Sequence, residues 1–113
     1  RYGTTINSMR FDSSLSTNFK LYNMKIKVRN MTSNAGNEVP NQFVITTPEG
    51  RYFQSYQSMI AFKPYHGKTQ LDESKWDYSN TTSRYRRSFL NGEGINETRA
   101  KIESGEYKLT NLN

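Results

Sequence analysis

Short blocks of alternating apolar and polar residues fill the middle of this chain and give way to helical spacing near its C-terminus. Met24-Lys25-Ile26-Lys27-Val28-Arg29 alternates strictly, which predicts a half-buried strand with Met24, Ile26 and Val28 inward and Lys25, Lys27 and Arg29 outward. Asn30 to Asn41, with Gly36 and Pro40, reads as a polar loop. Gln42–Thr47 and Arg51–Tyr56 flank Pro48-Glu49-Gly50 and predict a β-hairpin. Its second strand places Tyr52, Gln54 and Tyr56 on one side and Phe53 on the other. Brief strands are expected at Met59–Phe62 and Thr69–Leu71, on either side of a loop from Lys63 to Lys68.

Beyond Leu71 the spacing changes. Asp72 is expected to cap a single helical turn leading into Trp76. A helix from Thr82 to Leu90 follows, capped by Asn80 or Thr81 and closed by Asn91-Gly92. Tyr85 and Phe89, one turn apart, form its buried face with Thr82 and Leu90 beside them. Arg84 and Arg87 point away from that face, whereas Arg86 falls within the apolar arc and is expected to lie along the core and pair with a carboxylate such as Asp77. A second helix is expected around Ile95–Ala100, with Asn96 as N-cap, an Ile95–Ala100 staple, Gly105 as C-cap, and ion pairs Glu97–Lys101 and Arg99–Glu103. Tyr107–Thr110 returns as a closing strand. The sum is one α+β domain over residues 24–113: an antiparallel meander of four to six strands with two short C-terminal helices packed on it, and Trp76, Tyr85 and Phe89 in the seam. Residues 1–23 lack a clear period and read as a flexible or loosely docked extension.

Composition adds two constraints. Apolar residues are only 33% of the 113, yet 13% are aromatic, so burial must rest on a few large rings. The net charge of +6 is uneven, since residues 1–37 carry six cations against Asp12 alone. This excess favours polyanionic partners. Cysteine is absent, which removes disulfides and thiolate chemistry, and no apolar run is long enough to span a membrane.

Catalytic chemistry finds little support. His66 is the only histidine and lies in a loop without an evident partner. Asp72, Glu73 and Asp77 around Trp76 are explained by capping and by pairing with arginines. No phosphate loop, dinucleotide fingerprint, nucleophile elbow or zinc spacing occurs, so neither a cofactor nor a metal is expected. The chain reads as a binding protein, not an enzyme. The candidate contact residues are Arg84 and Arg87 on the helix and Lys25, Lys27 and Arg29 on the first strand, whose simpler roles are helix solvation and edge protection.

Several motifs together resemble a known group. Asn41–Thr47, the Tyr52-Phe53-Gln54-Ser55-Tyr56 segment running on to Ala61, the Trp76-Asp77-Tyr78-Ser79-Asn80-Thr81-Thr82 box with Arg84-Tyr85-Arg86, and the ending Ile102-Glu103-Ser104-Gly105-Glu106-Tyr107 onward are similar to an uncharacterised family of small tailed-bacteriophage proteins. The resemblance spans about Met24 to Asn113. It implies a phage origin and action in the cytoplasm of an infected bacterium, and it assigns no activity or site residue. Two functions are expected: engagement of a bacterial protein or ribonucleoprotein, for example inhibition of a defence system such as a CRISPR effector, or direct binding of DNA or RNA through the basic residues. A minor virion component is a third expectation.

Overall fold

The computed structural model describes residues 26–113. The extension expected over residues 1–23, together with Met24 and Lys25 of the expected opening strand, lies outside the described residues. Six strands form one sheet in sequence order: β1 (Lys27–Thr32), β2 (Glu38–Thr47), β3 (Gly50–Ser55), β4 (Ser58–Pro64), β5 (Gln70–Asp72) and β6 (Lys108–Thr110). Two helices, α1 (Asn80–Phe89) and α2 (Ile95–Ser104), separate β5 from β6. The first five strands pair antiparallel, and β6 joins β5 in parallel. The expected α+β class therefore holds, with one addition: the closing strand returns through a two-helix crossover, as a parallel pair requires.

The core forms where the expected rings meet. Phe53, Ile60, Ala61 and Leu71 are fully buried. Phe89 of α1 stacks on Phe53 at 5.8 Å, and Trp76, Tyr85 and Leu90 complete the cluster. A bulge in β4 places two residues, Ile60 and Ala61, against Phe53, which lets both reach the core. Polar groups enter the interior as well. Ser55 shares a hydrogen bond with Thr82 of α1 at 2.9 Å, and the amide of Gln42 is buried with no partner among the described residues.

Two expectations at the strands are corrected. β1 begins at Lys27 and faces the opposite way from its sequence pattern: Val28 is 60% exposed while Met31 is buried. The register explains this inversion, because Arg29 is paired with Val44 and therefore shares the core side. β2 starts at Glu38, so Pro40 lies within a strand; it sits where the β1–β2 register shifts, and Asn41 beside it takes a positive φ of 67°. Proline is tolerated at such irregularities because no ladder donor is needed there.

The helices begin differently from their sequence signals. Ser79, not Asn80 or Thr81, caps α1 by accepting from the Thr82 N–H. Gly94 opens α2 without a side-chain cap, Asn96 lies inside the helix, and Ile95 is 40% exposed, so no staple forms with the exposed Ala100. Gly105 does close α2 in the left-handed conformation. Asp72 caps the turn before Trp76, as expected: its carbonyl accepts from the Trp76 N–H and its carboxylate from the Ser74 N–H.

A cationic row as the candidate functional site

Residues paired across a sheet share a face, and positions two apart along a strand return to it. Lys27 pairs with Thr46, Thr46 with Arg51, and Arg51 with Lys63. One row across four strands thus carries three cations. Two positions further along lies the row Arg29, Val44, Phe53, Ala61 and Leu71. Because Phe53 stacks on Phe89, both rows lie on the side of the sheet that holds α1.

The C-terminal end of α1 stops over the junction of these rows. Lys63 Nζ donates to the Phe89 carbonyl at 2.9 Å and lies 4.9 Å from the centre of the Phe89 ring. The Arg51 guanidinium approaches the same ring at 5.7 Å. Part of this arrangement serves the helix, since cations complement the unpaired carbonyls at a C-terminus. It also concentrates charge. Burial lowers the Lys63 ammonium from its ordinary value, and the nearby Arg51 lowers it further, with Glu93 opposing. Next to the row, the β1–β2 turn and the end of α1 enclose a groove of about 350 Å³. Arg29 and Arg51 line it together with Asn34, Ser88 and Asn91, above Met31 and Val44, and no carboxylate borders it. The ion pairs among the described residues are Arg99–Asp77, Lys101–Glu93 and Lys101–Glu106. None involves Lys27, Arg29, Arg51 or Lys63.

Of the residues singled out in the sequence, Lys25 lies outside the described residues. Lys27 and Arg29 are exposed on the helix-bearing side, and Arg84 and Arg87 are exposed on α1. Arg87 is tied to its own helix end, its Nε donating to the Gly92 carbonyl at 3.2 Å. The structure brings Arg29 together with Arg51, a residue not selected from the sequence, and Lys63 was also missed. Hairpin register held the missing signal: Thr46 faces Arg51 once Thr47 and Gly50 flank the turn.

Arg86 is buried as expected, but its partner differs. Its Nη1 donates to the Trp76 carbonyl and to Ser83 Oγ, and its guanidinium lies 5.1 Å from the Trp76 ring centre. Asp77 instead pairs with Arg99 at 3.7 Å. The expected pairs within α2 are likewise replaced, because Lys101 turns to Glu93 at 2.8 Å.

Glu93 is the centre of a second polar cluster. It accepts from Thr98 Oγ1 at 2.6 Å, Tyr107 Oη at 2.7 Å and Lys101 Nζ at 2.8 Å. Burial pushes its carboxyl up, yet these donors together hold it below its ordinary value. Tyr107 is pushed up to about 12, first by burial and then by its bond to Glu93. With three donors on its two oxygens, this carboxylate ties α2 to the residue preceding β6 and is poorly placed for proton transfer. The sign of its pH dependence follows. A depressed carboxylate stabilises the fold above its unfolded value near 4.3, and that contribution is lost as pH falls through the folded value. A raised phenol stabilises below about 10 and loses its contribution as pH climbs toward the folded value. In an ultraviolet titration, ionisation of Tyr107 is expected near pH 12, and Glu93→Gln should bring it earlier. The absence of a component near that pH, or one unmoved by Glu93→Gln, would contradict this network.

His66 is exposed in its loop. Among the described residues no acidic or histidine cluster has metal-binding spacing, and no helix is long and apolar enough to cross a membrane. No curated protein and no solved structure matches this chain. A family model does match, over residues 26–105, which takes in every strand but β6, both helices and the whole cationic row. The chain accordingly belongs to a family of unknown function, DUF8033.

Proposed function

We propose that this protein is a non-enzymatic binding module that grips the phosphate backbone of a nucleic acid. The carrying observation is the row of Lys27, Arg51 and Lys63, with Arg29 beside it, none of the four in an ion pair among the described residues and only Glu93 acting on Lys63 from nearby. Register fixes the spacing of these cations, and Arg51 and Lys63 are also held against Phe89, so those two lose less freedom on meeting an anion. Arg84 and Arg87 extend the basic surface along α1. Such binding needs no catalytic group, cofactor or metal.

The proposal predicts strong salt dependence. Each phosphate contact contributes a slope of about 0.9 for duplex or about 0.7 for single strands in a plot of log K against log salt. Fluorescence anisotropy with labelled oligonucleotides is expected to show a slope that falls by one to two such increments in the Lys27→Ala/Arg51→Ala variant. Absence of binding to DNA and RNA at low salt would overturn the reading.

A bacterial protein or ribonucleoprotein is the second reading. Its support is Arg84, exposed on α1 with no hydrogen bond or ion pair among the described residues, and the resemblance to phage proteins. In that setting the protein acts in the cytoplasm of an infected bacterium, as an inhibitor of a defence complex such as a CRISPR effector. A protein that ignores nucleic acid but retains a defined bacterial protein after nuclease treatment would transfer the function to this class.

A further inference from the structure

We infer that the groove beside the cationic row seats one unstacked nucleotide, so that the protein selects single-stranded over duplex nucleic acid. This inference rests on the phosphate-binding reading above and adds the form of the ligand.

The size of the recess is the first ground. At about 350 Å³ it lies at the small end of the range for small-molecule sites, close to the bulk of one nucleotide. Its position is the second. The recess lies between the β1–β2 turn and the last turn of α1, beside Arg51 and off the line that Lys27, Arg51 and Lys63 trace across the strands. Arg51 belongs both to that line and to the lining, so a strand bound along the line lies beside the recess. In a duplex the bases are stacked and paired, and only phosphates and groove edges face outward. A single strand is free to turn a base aside.

The lining is the third ground. Arg29 and Arg51 offer guanidinium groups, on which unstacked bases pack and to which phosphates bind. Arg51 is further held against Phe89, which limits its freedom before any ligand arrives. Asn34 and Asn91 bring amides that both donate and accept, as the hydrogen-bonding edge of a base requires. Met31 and Val44 supply an apolar floor. A site for a bare phosphate would need neither the floor nor the amides.

The test uses the full chain and anisotropy titrations at one salt concentration, with a mixed-sequence single strand and the duplex formed from it, in DNA and RNA. Single strands are expected to bind on the order of 10-fold more tightly, the scale set by one stacked base. Ser88→Trp leaves the charge unchanged and fills the groove from the exposed rim of α1. It is expected to bring the single-strand affinity down to that of the duplex. Asn34→Tyr fills the groove from the turn and serves as the second variant, and thermal unfolding confirms that each is folded. Equal or tighter duplex binding overturns the groove inference but leaves phosphate binding standing. A preference that survives in both folded variants also overturns it. Failure to bind either form removes the phosphate-binding reading itself.

Discussion

Phe53→Ala is expected to lower the unfolding free energy by about 3–5 kcal/mol, the range for deleting a buried aromatic ring. Phe53 is fully buried, faces the bulged pair Ile60 and Ala61, and stacks on Phe89. Removing it opens a cavity between sheet and helix that neither layer can close without moving. The effect should extend beyond stability. Phe89 is the ring on which Arg51 and Lys63 rest, so loss of its stacking partner loosens the support of both cations. Urea unfolding followed through Trp76, the only tryptophan, measures the change. A loss below about 1 kcal/mol would show that α1 does not depend on this contact.

The second large effect is expected at Gly50. Its φ is 153°, and a Cβ there would lie 2.3 Å from the Lys63 carbonyl oxygen and 2.6 Å from the Pro64 Cα. Those atoms are backbone and cannot swing aside. Gly50→Ala combines a backbone conformation costing about 1–3 kcal/mol for a side chain with overpacking of about 1–3 kcal/mol, so destabilisation of about 2–6 kcal/mol is expected. Gly50 also precedes Arg51 and pairs with Pro64, the neighbour of Lys63. The variant should therefore weaken oligonucleotide binding even where it remains folded, which chemical denaturation and anisotropy on one sample will separate. A variant with wild-type stability would mean that β3 and β4 are free to part at this end.

The elements of this fold were largely readable from local pattern. Turn chemistry at Pro48-Glu49, the aromatic spacing of Tyr85 and Phe89, and Gly105 as a helix end all act over a few residues, and each was found where expected. Facing was harder. Met24 to Arg29 alternates perfectly, yet alternation states only that two faces differ, and here Lys27 and Arg29 lie toward the helices while Val28 lies away from them. The choice was made by pairing with β2, a contact far along the chain. Ion-pair partners failed for the same reason: Glu97 and Lys101 are one turn apart, but Glu93 is buried and its charge attracts Lys101 more strongly than an exposed neighbour does. Half of the candidate site was likewise visible as Lys27 and Arg29. Arg51 and Lys63 became part of it only when four strands were set in register.

The inverted facing of β1 has an effect at long range. From β1 to β4 the row Val28, Ile45, Tyr52 and Phe62 on the far side carries no charged residue, while the near side carries Lys27, Arg51 and Lys63. From β1 to β4 the sheet is thus electrically lopsided. Toward a highly negative surface, these four strands are drawn with their charged side leading.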